Sequence, residues 1–93
     1  MNPLNDFNID ILCLSSIRYA FYRRAVPATL NTIDGIIYVL DNMEHDDHKY
    51  NFILKLITEI ENIFSLNEEL EINYIWNEFL QDLVEKRNGF YKQ

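Results

Sequence analysis

Apolar side chains recur every three or four residues along most of this chain, and that spacing constrains the fold more than any other feature. A helix with such a stripe buries one face against its neighbours. Two glycines and two prolines in 93 residues are too few for the turns of a hairpin-rich β protein. The pattern therefore predicts an all-α fold, a small single-domain bundle of about four helices over residues 1–93.

Four segments carry these stripes, and each is expected to form one helix. Pro27 has no N–H to donate and separates the first segment from the second. The β-branched run 36–39 is compatible with a short strand, but the helical stripe continues on both sides of it and favours helix. The predicted helices span residues 6–24, 27–43, 47–65 and 73–87, and the predicted core contains Leu14, Ile33, Ile37, Ile53, Ile57, Ile60, Phe64, Trp76 and Leu83.

Local signals refine the helix ends and the surface. Asp46 and Asp47 are placed to cap the third helix, and Asn88-Gly89 is typical of a helix stop. Gly35 lies inside the second helix, where close packing of another helix would explain it. Four aromatic residues fall outside the stripes and are expected to be exposed, where they could form a self-association patch: Tyr22, Tyr38, Phe52 and Tyr74.

The charge of the chain is strongly uneven. Eight Lys and Arg against fifteen Asp and Glu give a formal net charge of −7. Residues 28–85 hold thirteen acids and two lysines, a local charge of −11, whereas residues 1–27 sum to +1 and residues 86–93 to +3. Polyanions repel such a body, so we expect no direct binding to nucleic acid or anionic lipid. We expect it to bind a basic protein surface through Asp46, Asp47, Glu68, Glu69 and Glu71, although solvated helix faces and caps would also explain the acids.

The expected compartment is the cytoplasm. The longest stretch without a charged side chain is nine residues, 25–33, about half of what a bilayer helix needs. The first residues lack the basic region of a secretory signal. Cys13 is the single cysteine, so it has no internal disulfide partner, which fits a reducing environment.

Three arginines form a small basic group near the end of the first helix. Arg18, Arg23 and Arg24 alternate with aromatic residues, and Arg18 and Tyr22 are four apart, so their side chains can stack. One interpretation is that the arginines pair with carboxylates of the acidic half and tie the first helix to it. The other is a nucleic-acid accessory protein that uses them as its binding site.

The sequence gives little support for a metal site or a catalytic site. His45 and His48 are three apart among acidic residues, but the segment is a junction between loop and helix, and no further His or nearby Cys completes a ligand set. A dyad of Cys13 with either histidine stays open, yet a thiol among apolar neighbours is usually inert packing. No phosphate-binding loop or nucleophile elbow is present. We predict no catalytic residue, no metal and no cofactor.

Two short motifs resemble a group of small phage and prophage proteins. Residues 18–24 read R-Y-A-F-Y-R-R and residues 76–79 read W-N-E-F, against a signature close to R-Y-A-L-G-R-R-T-Y followed by a W-x-x-F helix. Phe21, Tyr22 and the pair at 25–26 depart from that signature. The positions that match it are Arg18, Tyr19, Ala20, Arg23 and Arg24. The resemblance makes Arg18, Tyr19, Arg23 and Arg24 the positions to mutate first. The resemblance implies a mobile-element origin and no particular mechanism.

These observations favour a non-enzymatic, acidic protein-binding module encoded by a phage or mobile element. It would inhibit a host protein by occupying its basic surface, and a host defence nuclease complex is one candidate target. An immunity protein or antitoxin that neutralises a toxin would use the same physics. The partner's identity and the oligomeric state stay open.

Overall fold

A computed structural model describes residues 6–66 and 73–90, and these residues form four α-helices. They are α1 (Asp6–Arg23), α2 (Val26–Asp41), α3 (Asp46–Leu66) and α4 (Asn73–Phe90). The described residues contain no strand, so the all-α prediction is confirmed. Run 36–39 lies inside α2, as its uninterrupted stripe predicts. None of the described helices combines the length and the hydropathy that a membrane span requires.

The turn between α1 and α2 is tight because Arg24 adopts a left-handed conformation, with φ of 57°. Its backbone N–H still donates to the Ala20 carbonyl at 3.1 Å, which closes the last turn of α1. Ala25 is extended, and Pro27 lies in the first turn of α2, where a missing N–H breaks no helical bond. The proline thus lies one residue inside the helix that it was predicted to begin.

The helices bury one continuous core, with α1 against α2 and α3, α3 against α4, and α2 against α4. Six of the nine predicted core residues are buried, whereas Leu14, Ile37 and Phe64 are partly buried and pack against the edge of the core. Among the described residues, α3 contributes the most buried apolar side chains, as the widest stripe indicated: Phe52, Ile53, Leu56, Ile57, Ile60 and Ile63.

Aromatic rings join α1 to the second half of the chain. The ring of Phe21 stacks on that of Trp76 with centroids 4.6 Å apart and contacts Phe64 edge-on at 5.9 Å. Trp76 also lies beside Phe79, at 6.4 Å. Residues from both motifs of the phage-protein resemblance, 18–24 and 76–79, therefore meet in the core.

Three local predictions are wrong. Phe52 is fully buried, not exposed, because the buried face of α3 is wide enough to include it. No atom of a described residue lies within 4 Å of the position that a Cβ would take at Gly35, so none of the four helices packs closely there. Asn88-Gly89 does not end α4, which continues to Phe90, where the ring packs on the core and lies 5.3 Å from that of Tyr50.

Candidate functional site

The outward side of α2 carries a tyrosine between two carboxylates. Steps of four, four and three residues place four exposed side chains on one stripe, here called the α2 face: Leu30, Asp34, Tyr38 and Asp41. Tyr38 is 70% exposed, and the buried residues of α2 occupy the opposite side of the helix. Such a stripe offers an aromatic anchor flanked by negative charge.

The acidic surface continues into the connection between α2 and α3. Glu44, Asp46 and Asp47 are exposed there, and residues 25–48 contain no Lys or Arg. The Lys49 N–H donates to the carbonyl of His45 at 2.9 Å, so His45 holds the cap position predicted for an aspartate. Asp46 and Asp47 instead lie in the first turn of α3, where the helix dipole favours negative charge.

None of the five carboxylates between residues 34 and 47 forms an ion pair with another described residue. Of the five residues predicted to contact a partner, Asp46 and Asp47 belong to this surface. Glu68, Glu69 and Glu71 lie outside the described residues. Sequence reasoning missed the α2 face, although Tyr38 with acids four residues before and three after it was the signal.

A buried polar cluster joins α1 to α3. Asp10 is 4% exposed, and its carboxylate oxygens lie 3.1 and 3.3 Å from Nε2 of His48. The ammonium of the half-exposed Lys55 lies 3.5 Å from Asp10 Oδ2. A buried carboxylate needs such partners, so the cluster explains why the chain tolerates an acid on the buried stripe of α1. The spacing of Asp10 to Cys13 and Ile17, three and seven residues, could have revealed it.

Cys13 lies near this cluster, and its surroundings disfavour the thiolate. Burial and the negative charge of Asp10 raise the pKa of the Cys13 thiol to about 11. Reactive cysteines have the opposite shift, toward a thiolate at neutral pH. His48, one of the two histidines considered as a partner for Cys13, is hydrogen-bonded to Asp10. The described residues contain no group of three His, Cys, Asp or Glu arranged to hold a metal ion.

A cleft of about 790 Å³ opens between the end of α1 and the second half of α3. Across it, the Arg18 guanidinium forms a two-pronged pair with Glu59, through Nε to Oε1 and through Nη2 to Oε2 at 3.4 Å. The hydrogen bond and the charge of Glu59 raise the pKa of Arg18. The remaining residues that line this α1–α3 cleft are Phe21, Tyr22, Arg24, Asn62 and Ile63.

The basic group is therefore divided. Arg18 pairs with the acidic half of the chain, as predicted, and Arg24 reaches the same cleft. Arg23 lies over the ring of Tyr19, 5.7 Å from its centroid, and one of its nitrogens is 3.4 Å from the hydroxyl. Among the described residues this is the cation–π contact observed, in place of the predicted stack of Arg18 on Tyr22.

Comparisons of the chain with protein-family models, with curated proteins and with solved structures find no match. Two surfaces carry groups that a ligand or partner could bind: the α2 face with its acidic continuation, and the α1–α3 cleft.

Proposed function

We propose that this chain is a non-enzymatic protein-binding module whose α2 face binds a basic surface of another protein. The observation that carries the proposal is Tyr38, exposed between two carboxylates that have no ion-pair partner among the described residues. Tyrosine is enriched among the residues that dominate binding energy, because it buries a large rigid ring and still offers a hydroxyl. Neighbouring charges guide the partner and fix its orientation.

The carboxylates of this surface are available to a partner without any internal rearrangement. Glu59 and Asp10 are already engaged by Arg18, His48 and Lys55. Asp34 and Asp41, in contrast, face water, so binding breaks no ion pair among the described residues. Glu44, Asp46 and Asp47 extend the negative potential along the chain and would accelerate association with a cationic surface.

A basic surface is the usual site at which a protein binds nucleic acid, so an acidic module that occupies it excludes that ligand. This is the physical basis for an inhibitor of a host protein, with a defence nuclease as the candidate class, and the phage-protein resemblance supplies the expected origin. An immunity protein or antitoxin would use the same face. A toxin gene beside the gene for this chain would identify that alternative.

The test compares matched variants against the partner captured from the native host. Tyr38→Ala is expected to weaken affinity by about tenfold or more, as loss of an interface anchor does. Charge reversal at Asp34 and Asp41 should weaken it further and flatten its dependence on salt, because an acidic surface is screened by ions. Affinity is measured by calorimetry at low and high salt.

The control variants make the same chemical changes on α4. Tyr74→Ala removes a ring of similar exposure, 64% against 70% for Tyr38, and charge reversal at Glu78 and Asp82 makes the same change in net charge. The controls are expected to change affinity by less than about twofold, as peripheral residues do. An equal loss of affinity in the α2 and α4 variants would show that net charge alone drives binding. Unchanged affinity in the α2 variants would show that the α2 face is not the binding surface.

A further inference from the structure

The α1–α3 cleft contains binding groups that the protein–protein proposal does not use. It shares no residue with the α2 face, and it combines positive charge, an exposed ring and an apolar floor. A volume of about 790 Å³ falls within the usual range of small-molecule sites, roughly 300–1,000 Å³. The α1–α3 cleft is therefore a site separate from the α2 face.

The charged residues of the cleft leave one positive charge that an anionic ligand can neutralise. Glu59 is only 12% exposed, and its charge is balanced by Arg18, whose side chain is 70% exposed and keeps donors toward solvent. Arg24 forms no side-chain hydrogen bond or ion pair with a described residue. The two cations and one carboxylate leave the cleft with a local charge of +1, on a protein whose total is −7. A phosphate group suits these donors, because guanidinium binds it in a two-pronged geometry.

The other walls suit a planar ring. Tyr22 is 86% exposed at the rim, and the buried Phe21 and Ile63 form the floor. A nucleobase gains favourable contact by stacking on such a tyrosine. The exposed amide of Asn62 offers both a donor and an acceptor, the pair that recognises the edge of adenine. An acidic peptide would use the arginines but leave the ring and the amide unused.

We propose that the α1–α3 cleft binds a nucleoside monophosphate, with the phosphate on Arg24 and Arg18, the base on Tyr22 and its edge at Asn62. A mononucleotide fits better than a nucleic-acid strand, because each further phosphate would approach an acidic body. The ligand places its negative charge in the cleft that Arg18 and Arg24 both line, and its base covers the otherwise exposed Tyr22.

The experiment is a titration of the full chain with adenosine monophosphate, followed by backbone amide NMR. Saturable shifts are expected at residues 18, 22, 24 and 62. Adenosine, which lacks the phosphate, and inorganic phosphate, which lacks the base, should each bind about tenfold more weakly or worse, because each loses one half of the contacts. Absence of saturable binding by the monophosphate would overturn the proposal, and so would tighter binding of a single-stranded oligonucleotide.

Matched variants locate the site. Arg24→Gln and Tyr22→Ala are expected to weaken binding of the monophosphate by about tenfold each, as loss of a charged hydrogen bond or a stacked ring does. Arg23→Gln and Tyr19→Ala make the same changes on α1 outside the cleft, and their affinities should stay within about twofold of the original. Equal weakening by the two pairs would show nonspecific attraction to the arginines and would refute the site.

Discussion

Replacing Asp10 by asparagine measures what the buried carboxylate contributes to the stability of the bundle. The amide keeps the shape and one acceptor for His48, but it loses the charge that strengthens the contacts with His48 and Lys55. Charge-assisted hydrogen bonds exceed neutral ones by about 1 kcal/mol each. The Lys55 contact contributes the smaller share because the half-exposed ammonium can return to water. The amide nitrogen, facing a cation, adds the penalty of an unpaired buried donor, and the expected total loss is about 2 kcal/mol.

That loss is large enough to measure by thermal unfolding. The entropy of unfolding is about 2.1 cal/mol/K per residue, or about 0.2 kcal/mol/K for 93 residues, so Tm should fall by about 10 °C. Tm is measured from the loss of the helical circular dichroism signal on heating. Urea denaturation followed through Trp76, the single and fully buried tryptophan, gives the free energy of unfolding independently.

Asp34→Asn is the matched control, because it removes the same charge from an exposed position on α2 that has no ion pair with a described residue. It should change the free energy of unfolding by less than about 0.5 kcal/mol. If Asp10→Asn behaves like this control, the cluster of Asp10, His48 and Lys55 does not stabilise the junction of α1 and α3, and the reasoning fails.

Two further predictions concern α2 and Cys13. Gly35→Ala should stabilise the protein by about 1 kcal/mol and raise Tm by about 5 °C, because the added methyl meets no described residue and alanine has the higher helix propensity. A lower Tm would mean that this surface is covered. Cys13 should react slowly with a thiol reagent at neutral pH, and its rate should still rise steeply between about pH 10 and 11, where the rate of an ordinary thiol has nearly levelled off. A plateau by about pH 10 would contradict the raised pKa of Cys13. The Cys13→Ala variant measures the background reaction.

The helices were predictable because their signals are local. The stripe through Ile53, Ile57 and Ile60 records the helical period directly, and all three are buried. Local signals gave the wrong end for α4. Asn88-Gly89 favours a helix stop, but α4 continues to Phe90, because the packing of Phe90 on the core outweighs that preference. Local signals also misplaced Phe52, which lies beside the centre of the stripe and is buried because α3 is covered by both α1 and α4.

The candidate sites were predictable only in part. The charge distribution of the sequence indicated an acidic middle segment, and Asp46 and Asp47 are exposed, as contact with a partner requires. A charge count could not distinguish carboxylates that form ion pairs from carboxylates that do not. Asp34 and Glu59 each contribute one negative charge to the count. Asp34 forms no ion pair with a described residue, whereas Glu59 pairs with Arg18 across the α1–α3 cleft.

The sequence by itself determined the helical period, the approximate helix bounds and the sign of the charge, because each depends on residues a few positions apart. The tertiary structure decided which distant side chains meet. Arg18 and Glu59 are 41 residues apart, and Asp10 and His48 are 38 apart. Such pairs form only when the packing of α1 on α3 sets the rotation of both helices. That packing also leaves Tyr22 and Arg24 beside a cleft, while Tyr19 and Arg23, residues of the same types close by in α1, lie outside it.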